Sequence, residues 1–382
     1  MPSTSTVTTT STVPGLAFAE AVVDLDAIAH NARLFAGHAG DLMAVVKADG
    51  FGHGLVPVAR TALAHGASRL GVTSCAEAGE LRAAGVTAPI LSWLHLPGQD
   101  FAESILTDVD LAASSAEHLL GIARSAQRVA LAARVHLKID TGLSRNGSTA
   151  AEWPELLLLA RRLELAGTIR VRGIWSHLSA AEDPATVTPQ IRRFEDALAV
   201  AGSLGLHPPL RHLANSAAAL GVPGSRYDLV RVGIGLYGVE PLPDKHFGLR
   251  PAMTLRGRAV MVKRVPRGTG VSYHHDYTTT ADTTLVLVPL GFADGVPRTA
   301  SGHGEVSIHG ARYPIAGRVA MDQFVVDVGD APVHIGDEVV LFGPGDDGEP
   351  TATEWAGWAG TNPHEILTGI GHRVPRRYLP AL

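Results

Sequence analysis

The sequence predicts an α/β protein: an N-terminal (β/α)8 TIM barrel followed by a C-terminal, mostly-β domain. Three observations carry this expectation. Short apolar or β-branched runs recur, each closed by a polar or glycine-bearing turn, with alanine- and leucine-rich stretches of helical spacing between most of them. After Gly238 the alternation gives way to a proline- and glycine-rich linker and then to short β-branched runs punctuated by Gly, Pro and Asp. The 382 residues are enough to build two cores.

Taken in order, residues 1–16 are rich in Ser and Thr and read as a disordered tail, with neither the basic segment and apolar core of a secretory signal nor the arginines of a transit peptide. The barrel is assigned to 17–250. Its eight strand candidates are Leu42–Ala48, Leu70–Ser74, Ile90–Leu94, Val109–Ser114, Val135–Asp140, Val171–His177, Leu210–Ser216 and Leu229–Gly238. Helical spacing occupies Leu55–His65, Ala76–Ala84, Ala116–Arg124, Glu152–Leu165 and Pro189–Leu204. A doubly wound open sheet competes, but it needs a less regular strand order than this even spacing suggests. A (β/α)8 barrel builds its site at the C-terminal ends of its strands. There this chain carries Lys47, Lys138 with Asp140, His177, Asn215 with Ser216, and Arg231, which would converge on one mouth.

Val239–Arg250 reads as the linker, and 251–382 as the β domain. Its strand candidates are Ala259–Val265, Thr284–Pro289, Glu305–Ile308, Phe324–Val328 and Glu338–Phe342, with helical spacing only at Thr353–Ala359 and Pro363–Ile370. A formal charge of −5 without a basic stripe offers no footprint for nucleic acid. No apolar run approaches a membrane span. The single cysteine, Cys75, excludes an internal disulfide and a thiolate metal cluster and fits a reducing, cytoplasmic compartment. No metal site is expected.

Lys47 is the residue with the most chemical content. It stands in Ala-Val-Val-Lys-Ala-Asp-Gly-Phe-Gly-His-Gly, where an apolar strand meets a glycine-rich turn. Burial lowers an amine's pKa and frees its lone pair to attack an aldehyde, and the glycines let backbone N–H groups approach a ligand. A strand-end lysine reaching to solvent would have the same local sequence. Tyr273 in Gly-Val-Ser-Tyr, Arg298, Arg318 and Asp322 are unusual choices for a purely structural β module, although each alone also suits a capped turn or surface pair.

Seven segments in order go further. They are residues 44–54, His-Leu-Lys-Ile-Asp-Thr-Gly-Leu-Ser-Arg-Asn-Gly (136–147), Gly-Ile-Trp-Ser-His-Leu (173–178), His-Leu-Ala-Asn-Ser-Ala-Ala-Ala-Leu (212–220), Asp-Leu-Val-Arg-Val-Gly-Ile-Gly-Leu-Tyr-Gly (228–238), Gly-Val-Ser-Tyr and Arg-Val-Ala-Met-Asp-Gln. Together they resemble alanine racemase, a fold-type III pyridoxal 5'-phosphate (PLP) family, over nearly the whole chain from about Ala19 to Tyr378. The resemblance implies a homodimeric isomerase that interconverts L- and D-alanine by a two-base mechanism and supplies D-alanine for peptidoglycan precursors. Lys47 would hold PLP as an imine and act as one base. Tyr273, contributed by the partner subunit's β domain, would be the other. Arg231 would face the pyridine nitrogen and, having no acceptor and keeping its proton, leave that nitrogen unprotonated. His177 resembles the residue that fixes this arginine. Asn215, Ser216, Gly233 and Ile234 would hold the phosphate. Arg145 and the backbone of Met321 would bind the substrate carboxylate, and Lys138 matches a lysine carbamylated in many relatives. Glu182, Phe292, Arg298, Arg318 and Asp322 would line the entrance.

The chain departs from the family where Phe51 replaces a tyrosine that reaches the phosphate, where Phe292 replaces a tyrosine of the entrance, and where His372 takes a site near the substrate that is often tyrosine. Glu182 stands where aspartate is common. These changes bear on cofactor retention and selectivity. A racemase of broader range is the near alternative. A non-catalytic PLP carrier usually lacks the β domain, and a fold-type III decarboxylase pairs its cofactor nitrogen with a carboxylate where this chain has Arg231.

Overall fold

The computed structural model describes residues 18–380 apart from Pro243, so the tail expected over 1–16 lies outside the described residues. The first strand, β1 (Ala19–Asp24), is followed by a helix over Leu25–Ala39 that Asp24 caps by accepting from the N–H groups of Asp26 and Ala27 at 2.8 and 3.2 Å. The strands β2 (Leu42–Val45), β3 (Arg69–Val72), β4 (Ile90–Ser92), β5 (Val109–Ala113), β6 (Ala133–Lys138), β7 (Ile169–Trp175), β8 (Leu210–His212) and β9 (Val230–Val232) then form one sheet. Its order is β8-β7-β6-β5-β4-β3-β2-β9, with every pairing parallel. All eight apolar runs thus yield barrel strands, buried on both faces except at Arg170 and Arg172 in β7, Arg211 in β8 and a few half-buried positions. Between β8 and β9 the ring closes through two backbone bonds, Asp228 N to Arg211 O at 3.1 Å and Arg231 N to Ala214 O at 3.0 Å.

The C-terminal region adds β10 (Met253–Arg258), β11 (Met261–Val265), β12 (Gly270–Val271), β13 (Tyr277–Thr278), β14 (Thr283–Val288), β15 (Glu305–Ile308), β16 (Ala311–Pro314), β17 (Phe324–Asp327), β18 (Glu338–Phe342) and β19 (Arg376–Leu379). They make a six-stranded sheet ordered β16-β15-β18-β10-β1-β19, a three-stranded sheet β11-β14-β17 and the hairpin β12-β13. Two expectations change here. Ala19–Asp24, assigned by sequence to the 17–250 barrel, is a central strand of the C-terminal sheet, antiparallel to β10 and parallel to β19. The strand expected over Ala259–Val265 is β11 from Met261 onward, and its first two residues are a corner: buried Ala259 pairs its backbone with Asp337 and Gly336, Val260 donates to Leu287, and the chain passes from one sheet to the other. One continuous apolar cluster joins the barrel's outer layer to the β domain.

Candidate active site

The C-terminal ends of the barrel strands surround a cavity of about 800 Å3. Lys47 lies two residues beyond β2 and opens an unusual turn. Ala48, Asp49 and Gly50 have φ/ψ of 55/51°, 53/49° and 59/44°, and Phe51 and Gly52 continue at φ 52° and 78°. This is a short left-handed helix, costly for every residue but glycine. It is held by Gly50 N to Val46 O, Gly52 N to Ala48 O and Gly54 N to Asp49 O, at 2.8 to 2.9 Å, and by the Asp49 carboxylate accepting from Leu55 N at 2.7 Å. Glu77, beyond β3, accepts from Ala48 N at 2.7 Å and ties the turn to the next βα unit. Burial lowers the pKa of Lys47, helped by the nearby Arg145 guanidinium and opposed by Glu77.

Lys138 ends β6 and is buried, its Nζ 4.3 Å from the centre of the Trp175 ring. Burial, with Arg231 and Arg145 nearby, pulls its pKa down to about 7. Arg231, in β9, is also buried, with its Cζ 4.9 Å from the same ring. Its Nη1 donates to His212 Nδ1 (3.0 Å) and His212 O (2.9 Å), and its Nη2 to Ser176 O (2.7 Å), Leu213 O (3.1 Å) and His177 Nδ1 (3.3 Å). Burial brings Arg231 down to about 9, which leaves it protonated at neutral pH. Burial and the facing cations hold His177 and His212 well below the usual histidine range, so both imidazoles are neutral acceptors. His177 therefore reaches the arginine as expected, but His212 makes the shorter contact.

Just beyond β8 and β9, Ser216 Oγ accepts from Gly233 N (3.1 Å) and Gly235 N (3.3 Å), leaving its own proton free to donate. A β-carbon at Gly233 would sit 3.0 Å from Phe51 Cζ, and one at Gly235 would meet Phe35 at 2.5 Å, so a side chain at either position would have to displace an aromatic ring. Asn215 accepts from Ala218 N at 3.0 Å and orders the same turn. Four basic side chains, Lys47, Lys138, Arg145 and Arg231, face two carboxylates, Glu182 and Glu240, across the cavity. The donor set suits an anionic ligand.

The structure brings together Lys47, Phe51, Lys138, Arg145, His177, Glu182, Asn215, Ser216, Arg231, Gly233 and Ile234. It sets Tyr273, Phe292, Arg298, Arg318, Met321 and Asp322 apart, on the β domain. Tyr273 is 67 % exposed and Met321 55 %. Tyr273 follows Ser272, whose φ/ψ of 61/−169° belongs to a region nearly reserved for glycine. Arg318 pairs with Asp276, and Asp322 with Arg373 at 2.7 Å. His372 is exposed outside the cavity lining, and the histidine that enters it from the β domain is His364, packed on Phe51 with ring centres 5.9 Å apart. Burial and the Lys47 charge lower its pKa. His212, Trp93, Trp175 and Glu240 are further contributors that the sequence reading missed. For His212 the available signal was a histidine alternating inward at the end of a barrel strand.

Known proteins agree with this arrangement. Residues 23–241 match the family model "Alanine racemase, N-terminal domain" and 252–378 match "Alanine racemase, C-terminal domain". The chain is 55 % identical to an alanine racemase of Frankia casuarinae over 94 % of its own length and 96 % of the relative's. It is 50 % identical to that of Thermobifida fusca over 96 % and 99 %. Among solved structures, the alanine racemase of D-cycloserine-producing Streptomyces lavendulae superposes with a TM-score of 0.94 at 46 % identity, covering 96 % of this chain and 98 % of that one. The Corynebacterium glutamicum enzyme gives 0.85 at 37 % identity, covering 95 % and 100 %. Matched over both halves, with the basic cavity at the barrel mouth, the chain belongs to the alanine racemase family.

Proposed function

We propose that this protein interconverts L- and D-alanine with PLP as its cofactor, working as a homodimer in the cytoplasm to supply D-alanine for peptidoglycan precursors. The observation that carries the reading is the amine of Lys47, lowered in pKa and facing Arg231 and the Ser216–Gly233 turn across one cavity. PLP fits these residues: Ser216 and the backbone of Gly233 and Ile234 would hold the phosphate, and Arg231 the ring nitrogen. Bound there, it supplies a conjugated electron sink that acidifies the substrate's Cα–H. Lys47 removes or returns the α-proton on one face. The partner subunit's β domain supplies the phenol of Tyr273 on the other, a role supported by that side chain's exposure and its separation from its own barrel cavity. Arg145 and the Met321 backbone orient the substrate carboxylate. Lys138, if converted to a carbamate, becomes an anion beside two arginines. Incubation of the protein and PLP with single enantiomers in D2O should give α-deuterium exchange and inversion of alanine ahead of larger amino acids. Absence of exchange for both alanine enantiomers would end this reading.

A further inference from the structure

Behind Arg231 a file of buried polar side chains runs through the barrel interior, away from the cavity. His212 Nε2 lies 2.9 Å from His136 Nδ1, and His136 Nε2 lies 3.3 Å from Asp110 Oδ2. The other oxygen of Asp110 accepts from Arg134 Nε. Asp110, His136, His212 and Arg231 belong to β5, β6, β8 and β9, and all are 4 % exposed or less. The intervening strand β7 makes room with Gly173, the register partner of His136, where a β-carbon would come within 2.3 Å of His136 Nδ1. Trp175 stacks on His212 with ring centres 5.5 Å apart and planes 10° from parallel.

The direction of every bond follows from its ends. Guanidinium only donates, so His212 Nδ1 must be the acceptor and its proton must sit on Nε2. That proton is then given to His136 Nδ1, which places the His136 proton on Nε2, aimed at the Asp110 carboxylate. We propose that Asp110, His136 and His212 are positioning residues for Arg231: a one-way hydrogen-bond relay that fixes both imidazoles as Nε2–H tautomers and keeps a bare acceptor facing the guanidinium. An extra proton anywhere along it would set donor against donor at Arg231. The relay stands on its own geometry. Its effect on racemisation rests on the reading that Arg231 faces the cofactor's ring nitrogen.

Two substitutions separate this role from mere packing. In Asp110→Asn the Arg134 donor keeps the amide oxygen, so the NH2 turns to His136 Nε2 and reverses both tautomers. In His136→Asn the amide oxygen accepts from His212 and the NH2 donates to Asp110, preserving the direction although a buried ring is lost. 15N-histidine spectra of the parent apoprotein should show His136 and His212 with protonated Nε2 and bare Nδ1, as at His177, and these two should lose that pattern in Asp110→Asn while His177 keeps it. In the PLP-loaded enzymes, kcat should fall at least about tenfold in the isosteric Asp110→Asn with little change in the KM for alanine, and less in His136→Asn. An imidazolium or Nδ1–H tautomer at His212 in the parent would overturn the relay, even if Asp110→Asn failed to fold. So would greater impairment of His136→Asn, the order that packing alone dictates. Reversed tautomers with unchanged racemisation would support the relay and instead remove Arg231 from the reaction.

Discussion

Phe51→Tyr should destabilise the apoprotein and tighten its hold on the cofactor. Phe51 is 5 % exposed, stacked on Tyr237 at 4.6 Å, and its Cζ points at the vacant β-position of Gly233. A hydroxyl added there enters the space left by the missing side chain, beside the proposed phosphate cradle. With phosphate present it gains a hydrogen bond to a charged group, worth about 1.5–3 kcal/mol. The dissociation constant for PLP should therefore fall by roughly 10- to 100-fold. Without phosphate the same hydroxyl is buried beside backbone already engaged with Ser216, at a cost of about 1–3 kcal/mol. Fluorescence titration of the apoprotein with PLP measures the first effect, and calorimetric melting of the apo and loaded forms measures the second. The variant should melt below the parent when apo, and PLP should raise its melting temperature by more than it raises the parent's. Equal apo stability together with unchanged or weaker PLP binding would show that the phosphate does not lie against Phe51.

Borohydride reduction of the loaded enzyme should leave a pyridoxyl group on the peptide containing Lys47, and a label on Lys138 or Lys263 would displace that assignment. Lys138 titrates near 7 in the folded protein against 10.5 ordinarily, so between those values the unfolded chain holds the extra proton and stability rises with pH. In CO2-free buffer, the stability advantage of Lys138→Met should accordingly be largest at or below pH 7 and shrink as pH rises towards 10.5. An advantage that stays constant in urea melts would contradict this. Lys47→Ala and Tyr273→Phe should each be nearly inactive as homodimers, whereas subunit exchange between them should restore up to about a quarter of parental activity through mixed dimers that keep one intact site. Exchange without recovery would return Tyr273 to its own chain or remove it from the chemistry.

The barrel was legible because parallel strands covered on both faces read as nearly continuous apolar runs, unbroken in Leu42–Val45 and interrupted only by Asp110 in Val109–Ala113. β1 was not, since Ala-Glu-Ala-Val-Val-Asp resembles a barrel strand and its partners, Leu255 opposite Ala21 and Tyr378 beside Val23, lie at the far end of the chain. The cavity's lysines and arginines were legible because strand ends point to one mouth. Which imidazole reaches Arg231 best was less so. His177 and His212 both follow inward-facing strand positions, and only the closure of β8 against β9 sets His212 at 3.0 Å and His177 at 3.3 Å. The choice between His364 and His372 likewise depends on how the helix Pro363–Gly369 docks on Phe51, which no local pattern encodes.

The left-handed turn after Lys47 ties the barrel mouth to the far end of the chain. Ala48, Asp49 and Phe51 together carry a conformational cost on the order of 3–6 kcal/mol, at about 1–2 kcal/mol each. Beyond the turn's own hydrogen bonds and Glu77, further support comes from the end of the chain. Arg376 Nε donates to Gly52 O at 3.0 Å, Leu367 O presses into the space a side chain at Gly52 would need, and the Tyr378 hydroxyl fills the corresponding space at Gly54. The turn that follows the lysine is therefore finished by residues up to 324 positions later in the sequence. A barrel severed from its β domain would keep its basic mouth and lose these three supports for the turn beside Lys47.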